Sequence, residues 1–135
     1  MTVNISTVAR NGAGDFIVDL IDVGGAGWLT IYSGPKPASP QVAATGVLLA
    51  TLNFALPAFA AFSNGSAYAA PIASATNIPN SGIASYFRVY SGAGVAIVDG
   101  DISLSGGSGD IRFDNINFIA GGVVALNSLL ATMPQ

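Results

Sequence analysis

Four aspartates stand close together in the C-terminal half, at Asp99, Asp101, Asp110 and Asp114. Carboxylates are the hard oxygen ligands that calcium takes, and Asp99-Gly100-Asp101 has part of the look of a calcium loop. The spacing of a helix-loop-helix calcium site and its closing Glu are missing, so these residues read first as turn carboxylates at strand ends, where Asp is favoured for its own backbone hydrogen bonding. No metal site and no cofactor is predicted. Two glycine-rich stretches, Gly24-Gly25-Ala26-Gly27 and Gly106-Gly107-Ser108-Gly109, invite comparison with phosphate cradles. A cradle needs a strand before it and a helix after it. The first stretch has them in the reverse order and the second leads into another strand, so both are read as turns.

Nucleophilic chemistry meets a harder obstacle. The chain has neither His nor Cys, which removes the usual general base, thiolate chemistry, disulfides and most zinc sites. A Ser-His-Asp arrangement is impossible, and the lone lysine, Lys36, sits between Pro35 and Pro37 in a segment unsuited to desolvating it. A two-carboxylate hydrolase could be assembled from Asp pairs, but nothing marks one pair out. No catalytic residue is predicted. The remaining candidates are aromatic: Trp28, Tyr32, Tyr68, Tyr86 and Tyr90. On a strand, Tyr86, Arg88 and Tyr90 share one face and Phe87 and Val89 the other. If the apolar pair points inward, the Tyr-Arg-Tyr face points outward and becomes a contact patch for a partner.

These residues must be positioned by short strands. Apolar residues recur at helical spacing at Ala13, Phe16, Ile17, Leu20 and Ile21, with Asp15, Asp19 and Asp22 on other faces. This predicts one helix over 11–23, capped by Ser6 or Asn11 and stopped at Gly24-Gly25, after an extended arm over 1–10. The arm residues Thr2, Val3, Asn4 and Ile5 are candidates for ordering against a partner. Thereafter the period is two: strands are expected over 28–32, 47–54, 84–90, 95–98, 102–104, 111–113, 116–119 and 123–130. Pro35, just before it, and Pro37 and Pro40 within it make 36–45 an exposed connection. Asn64-Gly65 predicts a type I′ turn, and 91–94 a second hairpin turn. About eight strands with turn signals between them predict a mainly β chain, an antiparallel sandwich or jelly roll with one short N-terminal helix, as a single domain over 1–135.

Composition agrees with strands and turns and adds a constraint. Of 135 residues 51% are hydrophobic and only 8% charged, against about 25% charged in an average soluble protein. So few charges imply a surface that is largely covered by partners. A net charge of -3 without a basic cluster argues against nucleic-acid binding. The N-terminus lacks the basic start and apolar run of an export signal. Residues 46–62 are apolar, but the stretch is short for a span of about 20 residues and holds Asn53 and Pro57; no membrane segment is expected.

Taken in order, several stretches resemble a group of small tailed-bacteriophage virion structural proteins. The likeness lies in Ile5-Ser6-Thr7-Val8-Ala9-Arg10-Asn11 through Asp15, then Leu29-Thr30-Ile31-Tyr32-Ser33-Gly34-Pro35. It continues in Leu48-Leu49-Ala50-Thr51-Leu52-Asn53-Phe54 with Pro57-Ala58-Phe59, in Ala84 to Arg88, and in Val98-Asp99-Gly100. Phe62 departs from the pattern, being large where a small residue is expected, as does the ending Met133-Pro134-Gln135. The resemblance implies a non-enzymatic virion component made in the host cytoplasm. Its first expectation is a capsid decoration (cement) protein on the capsid surface, a homo-oligomer and by preference a trimer, bound to the major capsid protein. The alternative is a tail-fibre or baseplate module that binds a host glycan or surface protein.

Overall fold

A computed structural model describes residues 3–133. The chain is mainly β with one N-terminal helix, as the sequence predicts. The order is helix α1 (Thr7–Ile21), then strands β1 (Trp28–Tyr32), β2 (Leu48–Asn53), β3 (Ser66–Tyr68), β4 (Gly82–Ile83), β5 (Tyr86–Tyr90), β6 (Ala96–Leu104), β7 (Ile111–Phe113), β8 (Asn117–Phe118) and β9 (Leu130–Thr132). The strands form one five-stranded sheet in the order β2-β1-β5-β6-β7 and two small ribbons, β3-β9 and β4-β8. Two comparable sheets were expected; among the described residues there is one, and the ribbons and α1 bury its inner face. The core runs through Val18 and Ile21 of α1, Leu29 and Ile31 of β1, Ala50 and Leu52 of β2, Phe87 and Val89 of β5, and Phe118 of β8.

The helix begins earlier than the glycines suggested. Ser6, in an extended conformation, accepts the Ala9 N–H at 3.2 Å and caps it, so residues 7–10 are helical rather than part of an arm. Asn11, the other expected cap, lies inside the helix. Gly12 and Gly14 each cost about 1 kcal/mol in a helix relative to Ala, yet Gly14 has a packing role. A Cβ there would collide with the Phe62 ring. Phe62 is buried because the helix offers it a groove in place of a side chain. The C-terminal end of α1 is closed by the 91–94 turn, where Gly92 N–H donates to the Ile21 carbonyl at 3.0 Å and Ala93 N–H to that of Val23 at 2.9 Å.

Several expected elements differ in extent. Asn64 and Gly65 both have positive φ, 53° and 81°, and Ser63 and Ser66 exchange two backbone hydrogen bonds across them, as a type I′ turn requires. The strand that follows, β3, meets 58–63 across the turn through isolated bridges, Ser63 to Ser66 and Phe59 to Ala69, and takes its regular partner, β9, on the other edge. The expected strand over 123–130 is mostly irregular: Val124 makes an isolated bridge to Ala75, and regular pairing starts only at Leu130. β6 and β7 are parallel, although adjacent in sequence. Their overlap is short, so the glycine-rich 105–110 segment can loop back from Leu104 to the level of Ile102 without a crossover helix. It packs closely: a Cβ on Gly109 would lie 2.6 Å from the backbone nitrogen of Ser103.

The fit of Gly14 to Phe62 is testable. Gly14→Ala improves helix propensity but overpacks the contact, which costs about 1–3 kcal/mol; urea denaturation is expected to show a net loss of stability. Combining it with Phe62→Leu is expected to give a smaller loss than the two single changes summed. Stabilisation by Gly14→Ala alone would show that the ring has room to move.

Candidate interaction face

The outer face of the sheet carries the polar and aromatic residues of β1, β5 and β6 in three cross-strand rows. Antiparallel register sets Trp28 opposite Tyr90, Thr30 opposite Arg88, and Tyr32 opposite Tyr86. On the other side of β5, Arg88 faces Asp99 and Tyr86 faces Asp101. The aromatic rows stack: Trp28 on Tyr90 with ring centroids 5.6 Å apart, and Tyr32 on Tyr86 at 5.1 Å. Between them Arg88 grips Asp99 through two parallel bonds, Nε to Oδ1 at 2.6 Å and Nη2 to Oδ2 at 2.9 Å.

This face is not open. Arg88 and Asp99 expose only 3% and 6% of their side chains, and Tyr86 is fully buried. The expectation that Tyr86, Arg88 and Tyr90 form an outward contact patch is therefore corrected: Tyr86 and Arg88 are inside, and Tyr90 is half-buried. The cover is the proline-containing loop over 33–46, whose residues 36–45 were expected to be a mere exposed connection. Its base is closed by Ser33 N–H donating to the Val47 carbonyl at 3.0 Å and by Val47 N–H donating to Ser33 Oγ at 3.2 Å. Gly46 is required there, with φ +83° and no room for a Cβ beside the Ser33 carbonyl. The returning end is held by the Tyr86 hydroxyl, which donates to the Thr45 carbonyl at 2.6 Å and accepts the Thr45 N–H at 3.0 Å. Arg88 Nη2 adds a donation to the Ser39 carbonyl at 3.3 Å. The alternation in β5 offered one face to the core and one to solvent, and the strand buries both.

Burial and charge explain the ionisation of this face. The bond to Asp99 pushes the already high pKa of Arg88 further up, against the opposing effect of burial. Burial pushes the Tyr32 phenol up, Thr30 opposing it. At the rim, Lys36 meets Asp101 at 3.1 Å; both are substantially exposed, and a pair of that kind contributes little.

The other carboxylates also have structural partners. Asp110 accepts the Asp101 N–H at 2.9 Å, and Asp114 accepts the Ser105 hydroxyl at 2.7 Å. Among the described residues no group of three or more such side chains is arranged to hold a metal ion. An apolar cavity of about 380 Å³ lies between α1, the inner face of the sheet and β9, lined by Ile17, Phe59, Phe87 and Leu129 among others. Its two acidic lining residues are Asp99 and Asp110, and both are engaged as described. No described helix is long and apolar enough to cross a membrane.

Of the arm candidates, Val3, Asn4 and Ile5 are exposed, while Thr2 lies outside the described residues. Sequence reasoning missed the polar flank of α1. Asn11, Asp15 and Asp22 accept the backbone N–H groups of Gly65, Phe62 and Ala58 at 2.8, 2.8 and 3.0 Å. Their shared flank was legible in the helical spacing, but the amides they bind were not. The chain matches no protein-family model, no curated protein and no solved structure.

Removing one partner of the buried pair strands a charge, at a cost of about 3–5 kcal/mol. Arg88→Met is expected to lose stability on that scale in urea denaturation, and Arg88→Met with Asp99→Leu to recover most of it. Tyr86→Phe is expected to raise hydrogen exchange across 36–45 while β5 stays protected, with a loss of about 1–3 kcal/mol. Unchanged loop protection would show that the hydroxyl does not hold the loop.

Proposed function

We propose that the chain is a non-enzymatic structural subunit of a tailed-phage virion, a capsid decoration protein that binds and stabilises the major capsid protein lattice as a homo-oligomer. The observation that carries this reading is how the molecule spends its polar groups. Arg88, Asp99, Asn11, Asp15 and Asp22 all serve internal contacts, while Val3, Val8, Phe16, Ile119 and Val123 are each more than 60% exposed. A surface so short of charge and so rich in large apolar residues suits extensive protein contact. The resemblance to phage virion proteins supplies the partner. On a capsid, apolar and backbone contacts across capsomer junctions raise the cost of separating them. In this reading the exposed Val3, Asn4 and Ile5 order against a neighbour, adding contact area at the expense of their own conformational entropy.

The alternative, a tail-fibre or baseplate module for a host glycan or surface protein, draws on the stacked and half-buried pair Trp28 and Tyr90, since aromatic faces suit sugar rings. Copy number separates the two. Electron cryo-microscopy of the purified particle is expected to show this chain at every capsomer junction. Density confined to the tail would overturn the decoration role and turn attention to Trp28 and Tyr90.

A further inference from the structure

Helix α1 is apolar on two opposite faces. Gly14, Val18 and Ile21 are buried against the sheet, and the polar Asn11, Asp15 and Asp22 occupy one flank, tied to residues 58–65. The face turned to solvent carries Val8, Ala9, Gly12, Ala13 and Phe16, all exposed, with Val8 82% and Phe16 67% accessible. A surface helix normally carries one apolar stripe, facing the core, with polar residues opposite it. Asp19 is the one exposed charge at the end of this face.

We infer that this face of α1 is where a second copy of the chain docks, the two helices lying antiparallel about a two-fold axis beside Gly12. Two observations choose a second copy. The first is self-complementarity: Val8 and Phe16 each lie four residues from Gly12, so the two-fold sets Phe16 of each copy against Val8 of the other. Nothing lies within 4 Å of the position a Cβ on Gly12 would take, and with Ala9 and Ala13 beside it the helix axes can approach to about 8 Å. The second is charge. The first turn of α1 has no acidic residue of its own; in the antiparallel pair Asp19 falls opposite the partner's helix N-terminus, where the macrodipole favours an anion. The inference deepens the homo-oligomer part of the proposed function and sets a two-fold pair in place of the trimer implied by the resemblance. Its test uses the free protein, so it can fail while the virion role stands, and the reverse.

Sedimentation equilibrium of the purified full chain is expected to give a dimer. Phe16→Lys, an exposed change that leaves the fold intact by circular dichroism, is expected to weaken association on the order of 100-fold or more, and Val42→Lys in the 33–46 loop to leave it unchanged. Because the chain has no cysteine, Gly12→Cys is expected to form a disulfide-linked dimer under mild oxidation, with the exposed Ala43→Cys as the slow control. A monomer at every concentration, a dimer indifferent to Phe16→Lys, or a trimer would each overturn the two-fold pairing.

Discussion

Arg88 and Asp99 form a bidentate ion pair on the outer face of a sheet whose inner face already holds the core, and the pair is almost wholly removed from solvent. An ion pair in that position demands cover, because charges half-wetted and half-buried gain neither full hydration nor full mutual attraction. The 33–46 loop provides the cover. Its prolines keep it from pairing as a strand, its closed base fixes where it starts, and the Tyr86 hydroxyl fixes where it ends. β5 is therefore enclosed on both sides, by side chains on one and by a loop on the other.

On the inner side the enclosing element is α1, and it is attached by two different kinds of contact. Apolar packing supplies the area, through Val18, Ile21 and the Gly14 groove that takes Phe62. Hydrogen bonds supply the register: Asn11, Asp15 and Asp22 accept three amides of the irregular 58–65 segment, which has few strand partners to satisfy them. Arg10 reaches the Met133 carbonyl at 2.8 Å and links the same helix to the end of the chain. A mainly β domain with few charges thus uses helix polar groups as internal fasteners, and its solvent face is left to apolar residues.

That allocation ties the fold to its proposed role. A chain with only 8% charged residues that commits so many of them inside has little left to keep an apolar surface solvated. The assembly proposed above, on a capsid lattice or between two copies, would relieve this condition.

Much of the architecture was legible locally. The period-two pattern marks β1 over 28–32, the Asn64-Gly65 turn follows from its need for positive φ, and the absence of His and Cys bounds the chemistry through composition alone. None of these features depends on which distant residues come together. The tertiary structure decided those that do. Alternation in β5 shows that Tyr86, Arg88 and Tyr90 share a face, but only the loop bonded to Tyr86 through Thr45 makes that face interior. Helical spacing groups Phe16 with Ile17 and Leu20, yet Phe62 selects Gly14 as the contact point, and Phe16 is turned outward. Residues 123–130 have strand composition, but a strand needs a partner edge, and only Leu130 to Thr132 finds one, in β3. A side chain's direction is set by the residues beside it; whether that direction is inside or outside is set by what the rest of the chain lays over it.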